Sequence, residues 1–240
     1  MNYLGLINAV LVRLREPVVT ANNYESNPFF MMIGSCVNDA KDFVENSWDW
    51  TALRGVESVN LLAGENTLLI PNSQNNQFQI TSVLNATTGS FLKEMTQDKY
   101  KSIYANNLTS PVGQNSPSYW ATYLQYWNDA NDEDTLNGNN QIIFDAPSNS
   151  TYQIDISYSK RQNPLVSYQT HIKVPALPVY TLATALASRE RGEVGGAPTS
   201  ELFALADKTL SNAIAIDSAK HSEELIWYVP SDMTNTNVRG

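Results

Sequence analysis

Asp145 and Asp155 are the two carboxylates whose meeting would matter most. Two carboxyl groups held several ångströms apart across a glycosidic bond can protonate the leaving oxygen while the other attacks or activates water. Distance along the chain does not establish that spacing, and at strand ends the same residues serve as ordinary solvated groups. His171 and His221 are the only histidines, and neither has the close neighbour that a zinc-binding pair on one helix requires. His171 reads instead as a surface or interface residue. The acidic run Asp129–Asp134 invites a calcium reading, but its sixth position is Asp134 where the calcium loop needs glycine, and its twelfth is not acidic. It reads as a solvated loop. Gly192, Gly195 and Gly196 lack both a preceding strand and a following Lys-Ser/Thr, so they read as a connector between helices, not a phosphate cradle. Cys36 is the single cysteine and lies in an apolar helical pattern, which suits a small core residue and excludes a disulfide within the chain. No cofactor and no metal is expected.

Trp48, Trp50, Tyr119, Trp120, Tyr123, Tyr126 and Trp127 form an excess of amphipathic aromatics. They fit a sugar-binding platform, but fit core and subunit interface better, because rings with a polar tip concentrate there. Charged residues are 16% of the 240, and Asn, Gln, Ser and Thr replace the missing charge, especially between Asn60 and Asn163. Amides desolvate more cheaply than ions, so such a surface suits wet, packed interfaces. The net charge of -9 argues against gripping a nucleic acid backbone. No signal peptide is expected, no run approaches a membrane span, and the sequons at Asn85, Asn107 and Asn149 read as chance in an Asn- and Thr-rich region.

The elements that would position these residues follow from periodicity. Leu4, Ile7, Leu11 and Leu14 mark a helix over Tyr3–Arg15, stopped by Pro17. Asn27-Pro28 should cap and open a helix of about five turns. Its apolar side is Phe29, Ile33, Cys36, Val37, Ala40, Phe43 and Val44, with Asp39, Lys41, Asp42 and Glu45 largely opposite. From Val56 the period becomes two. Strands are expected at 56–61, 66–71, 78–84, 90–92, 119–127, 141–144 and 151–158, with turns at Thr88-Gly89 and Asn137-Gly138 and a short helix over Asp98–Tyr104. Pro175 and Pro178 open a helix running to about Arg191. Thr199 or Ser200 should cap the last helix, whose inner face is Leu202, Leu205, Ala206, Leu210, Ala213 and Ile216. The fold class is α+β: a helical bundle formed by both chain ends (1–55 and 174–229), an inserted antiparallel β domain of sandwich or barrel type (56–173), and a flexible tail (230–240).

Four stretches carry a family resemblance: Trp48-Asp49-Trp50-Thr51-Ala52-Leu53-Arg54 at a helix end; Gln77–Leu84 with Thr88–Lys93; Ile142–Pro147 with Tyr152–Tyr158; and Val174-Pro175-Ala176-Leu177-Pro178-Val179-Tyr180 before an alanine-rich helix. Together the set resembles the head-to-tail adaptors of tailed phages, the class that includes tail tubular protein A of short-tailed phages. The Asn-rich loops between Ala105 and Asn140 and the acidic run depart from that pattern. The resemblance implies a non-enzymatic virion protein made in the host cytoplasm and placed in the neck, at the head-tail interface. It would form a homo-oligomeric ring, usually dodecameric, between the portal protein and a tail or nozzle protein, with genomic DNA passing through its lumen at packaging and ejection. It implies that the C-terminal tail, Ser231, Asp232, Met233, Thr234, Asn235, Thr236, Asn237, Val238, Arg239 and Gly240, docks on the portal. An acidic lumen would let DNA slide without being held, and a polar tail can order as it docks. No membrane partner is expected. The rivals are a carbohydrate-binding β-sandwich module of a tail fibre or receptor-binding protein, which leaves the long helices unexplained, and a glycan hydrolase built on Asp145 or Asp155, which lacks a motif.

Overall fold

The computed structural model describes residues 1–21, 23–24, 27–70, 78–107, 113–124, 140–192 and 197–220. Helix α1 (Tyr3–Arg13) is capped by Asn2, whose side chain accepts from Gly5 N at 2.9 Å. It ends two residues before the expected Arg15, because Arg15 takes a left-handed conformation (φ 59°) that closes the C-terminus before Pro17 is reached. Helix α2 (Pro28–Ser47) opens at Pro28, with Asn27 Oδ1 accepting from Phe29 N at 2.9 Å. Its buried arc differs from the expected one. Ile33, Cys36, Val37, Ala40 and Val44 face inward, but Phe43 is 53% exposed while Lys41 and Glu45 are buried. The arc is rotated toward Lys41 because the chain after the last strand lies across that side.

Helix α4 (Ala176–Glu190) follows Pro175 and packs against α1, α2 and helix α5 (Ala197–Ser218). Ala183, Ala185 and Ala187 are fully buried on it, and small side chains there let three helices approach one axis. Helix α5 begins at Ala197, ahead of the expected cap at Thr199 or Ser200. Ala206 and Ala213 are buried as expected, but Leu205 and Ile216, assigned to the inner face, are exposed. Leu6, Ile7, Val10 and Leu11 of α1, Ile33, Val37 and Val44 of α2, Val179 and Ala183 of α4 and Ala213 of α5 share one core. Leu165 and Ile172, which the sequence places in the inserted segment, join that core. The N-terminus is tied to the same segment: Tyr3 N donates to Thr170 O (2.9 Å) and Ile172 N to Met1 O (3.0 Å).

Between the helices run β1 (Arg54–Leu61), β2 (Thr67–Leu69), β3 (Phe78–Asn85), β4 (Ser90–Phe91), β5 (Lys93–Glu94), helix α3 (Gln97–Asn107), β6 (Tyr119–Leu124), β7 (Asn140–Phe144) and β8 (Tyr152–Lys160). They form two four-stranded sheets, ordered β1-β8-β3-β4 and β2-β7-β6-β5. Alternation in β8 buries Tyr152, Ile154 and Ile156 between β1 and β3, and these meet Leu68, Trp120, Ile142 and Phe144 of the other sheet in a second core. The turn at Thr88-Gly89 forms as expected, with Gly89 at φ 70°, a conformation that glycine adopts without steric cost. One pair departs from the all-antiparallel expectation: β5 runs parallel to β6, because α3 crosses over between them. The chain is α+β.

Candidate functional site

The carboxylates Asp145 and Asp155 are not brought into one site. Asp145 follows β7 in one sheet, and its Oδ1 accepts from Ser118 N (3.0 Å) and Tyr119 N (3.1 Å). Asp155 lies on β8 in the other sheet and accepts from Ser58 Oγ at 2.6 Å. Each is committed to local backbone or strand pairing. His171 is exposed and bridges to Asn2 through its backbone. Cys36 is buried, and burial pushes its thiol pKa up, which makes it a poor nucleophile. His221, the acidic run, the Asn137-Gly138 turn and residues 193–196 lie outside the described residues, as do Ser231–Gly240, the segment expected to dock on the portal. Among the described residues no three His, Cys, Asp or Glu side chains group as metal ligands, and no helix is long and apolar enough to cross a membrane.

Of the aromatic set, Trp48 and Trp50 belong to the helical core and Trp120 to the sheet core. Trp50 is 1% exposed in the helical core, where its Nε1 donates to Val44 O at 2.7 Å, and Trp120 is 3% exposed in the sheet core. Buried indoles offer no face to a sugar. Trp48 is half-buried against the helical core, and Tyr119 is half-buried with Lys99 Nζ 4.1 Å from its ring centre. Tyr126 and Trp127 lie outside the described residues.

A polar cluster joins α2 to the chain leaving β8. Asn38, Lys41 and Glu45 sit at helical spacing on one side of α2. Asn38 clasps Leu165 twice, donating from Nδ2 to its carbonyl (3.1 Å) and accepting its N–H (2.8 Å). Lys41 Nζ donates to Gln162 O at 2.6 Å and pairs with Asp42 at 2.7 Å and Glu45 at 3.6 Å. Glu45 Oε2 accepts from Gln162 N at 3.2 Å, while its Oε1 is buried without a hydrogen-bond partner among the described residues. Burial raises the Glu45 pKa, and the Lys41 charge and the Gln162 N–H only partly offset it. The Gln162 side chain continues the chain of bonds, donating to His171 O (2.7 Å) and accepting from Lys173 N (3.1 Å). Asn8 makes the same bidentate clasp on Val19, at 3.0 and 2.8 Å.

A second joint lies at the other side of the Trp48–Arg54 stretch. Asp217 of α5 accepts from Thr51 N (3.0 Å) and Thr51 Oγ1 (3.1 Å), just before β1 begins. Burial works to raise the Asp217 pKa, but the Thr51 bonds and Lys220 outweigh it and hold it below the ordinary value. Asp49 and Arg54 pair at 2.6 Å across the same turn. Beside Glu45 opens a polar cleft of about 210 Å³, lined by residues including Glu45, Trp48, Asp49, Gln79 and Arg161. Such a cluster can fix helices to strands. Its one unpartnered carboxyl oxygen, Glu45 Oε1, is buried.

Sequence reasoning missed Asn38, Lys41, Glu45, Gln162 and Asp217. The polar spacing along α2 was visible, but the contacts that join α2 to the chain after β8, and α5 to Thr51, span more than a hundred residues and end mostly on backbone groups, which carry no sequence signal. Compared with protein-family models and with curated proteins, the chain matches none.

Proposed function

We propose that this chain is a non-enzymatic virion structural protein, a head-to-tail adaptor that forms a ring between portal and tail and leaves a channel for DNA. The observation that carries the reading is the path of the chain. Helices from before and after the sheets bury their apolar faces on one another, and amide and carboxylate side chains bolt the strands to that body at two joints. A channel wall has to transmit load without opening, and paired joints on either side of the inserted strands serve that need better than a hinge. The net charge of -9 suits a lumen along which phosphate slides. The test is to mix purified protein with DNA-filled heads that carry the portal but lack the neck. Stable, saturable attachment with retention of DNA supports the proposal, and no attachment at micromolar protein sinks it.

A further inference from the structure

Arg13 ends α1 and Arg15 follows its cap. A cation is favoured at a helix C-terminus, where carbonyls lack partners. Arg191, at the end of α4, already meets that need: it donates to Leu14 O at 3.5 Å and is balanced by Glu16 at 3.0 Å. Arg13 and Arg15 come in addition. Both are exposed, and neither pairs with a carboxylate among the described residues. Arg13 Cζ lies 4.5 Å from the centre of the Tyr180 ring, which orients its guanidinium without neutralising it. In a chain with 24 acidic and 15 basic residues, two arginines without an acid reverse the charge locally.

Both arginines line a cleft of about 540 Å³ together with Leu14, Thr184, Ser188 and Leu202. Thr184 and Ser188 stand one turn apart on α4, and only 3% and 4% of each is exposed. Thr184 Oγ1 spends its proton on Tyr180 O at 2.7 Å. Ser188 Oγ donates to no group among the described residues, so a buried hydroxyl with an unspent proton stands in the wall beside two guanidinium groups.

Guanidinium forks suit carboxylates and phosphates alike. Charge and acceptor count separate the two. A phosphate monoester carries a charge near -2 at neutral pH and three terminal oxygens, which matches two uncompensated cations and a hydroxyl donor. A carboxylate or a phosphodiester would leave one cation unmatched. The cleft is larger than a free phosphate needs and falls among small-molecule pockets, about 300–1,000 Å³. Leu14 and Leu202 give it an apolar wall for an organic body.

We propose that the cleft at the C-terminal ends of α1 and α4 binds a phosphate monoester, with the phosphate held by Arg13, Arg15 and the Ser188 hydroxyl and the organic body lying on Leu14 and Leu202. The site is apart from both polar joints, and the proposal holds or fails independently of the adaptor reading.

Titration calorimetry of the full chain with adenosine monophosphate at constant ionic strength tests it. Saturable binding of one molecule per chain is expected, with a Kd below about 1 mM. Inorganic phosphate, which lacks the body, should bind more weakly. Arg13→Gln and Arg15→Gln should each weaken binding by about tenfold or more, and Ser188→Ala by about tenfold, as for hydrogen bonds to a charged group. Lys93→Gln, which removes an exposed cation on β5, should leave it unchanged. Arg15→Gln lies at an exposed position beyond the helix and should keep the parent melting temperature, so binding lost there is not folding lost. Absence of saturable binding by both adenosine monophosphate and inorganic phosphate at several millimolar overturns the proposal. So does inorganic phosphate, adenosine or an oligonucleotide without a terminal phosphate binding as tightly as the monoester, or Lys93→Gln weakening binding as much as Arg15→Gln.

Discussion

Lys41 and Glu45 show how a buried pair can be indispensable without being a large net source of stability. Both are removed from water, and the desolvation of each offsets much of their attraction. Removing only one leaves a buried charge, so Lys41→Ala should cost about 3–5 kcal/mol in urea unfolding. Lys41→Met with Glu45→Leu should recover most of that loss. The two shifted carboxyls have opposite consequences with pH. The folded pKa of Glu45 is raised, so the folded state holds a proton that the unfolded chain has already released. As pH rises from the ordinary glutamate value, about 4.3, through the raised one, Glu45 makes folding progressively less favourable. Stability curves of the protein and of Glu45→Gln should therefore diverge across that window, with the parent falling relative to the variant. Asp217 has the reverse sign. Its folded pKa is depressed, so its contribution is complete above the ordinary aspartate value, about 3.9, and is lost as pH falls through the depressed one. Asp217→Asn should lose about 1.5–3 kcal/mol at pH 7, the range for hydrogen bonds to a charged group, with the difference from the parent shrinking in acid. No such narrowing in acid would show that the Thr51 bonds do not depend on the charge.

Elements in this molecule are held to each other by amide side chains gripping backbone. Asn38 on Leu165 and Asn8 on Val19 each satisfy an N–H and a C=O that no helix or strand ladder reaches. Asn38→Ala strands both Leu165 groups and should cost about 1–3 kcal/mol, and Asn38→Asp, which keeps the acceptor but sets a carboxylate against the Leu165 carbonyl, should not recover that loss. Chemical denaturation of the two variants distinguishes a backbone clasp from simple packing. The outlines of these elements were legible from the chain: the Asn27-Pro28 start of α2, the alternation Tyr152-Ile154-Ile156 and the Pro175 start of α4 are local patterns, and local patterns determine local structure. The errors arose where tertiary contact overrode periodicity. Phe43 turned outward because residues 162–165 cover the Lys41 side of α2 instead. Leu205 and Ile216 lie on a helix packed on one side by α4 and left open on the other. The parallel β5–β6 pair escaped notice because two-residue strands carry no alternation to read. The polar joints were illegible for a different reason: most of their long-range bonds end on a backbone group.

At the scale of the whole molecule, two hydrophobic cores are linked by polar joints on both sides of the strands. An adaptor reading requires the assembled chain to grip a portal. Removing residues 231–240, which carry no apolar periodicity, should leave the melting temperature within about a degree, because a sequence without an apolar face adds little to a core, while weakening attachment through lost avidity around the ring. The carboxylates Asp145 and Asp155 should be dispensable for any turnover. Incubation with polysaccharide or peptidoglycan should release no sugar, and release that Asp155→Asn abolishes would make the protein an enzyme. The most direct test of the central proposal is co-sedimentation of the intact chain with portal-bearing, DNA-filled heads. The account predicts saturable attachment as a ring, with DNA retained in the heads. A chain that stays in the supernatant at every concentration, or binds equally to heads without a portal, contradicts it.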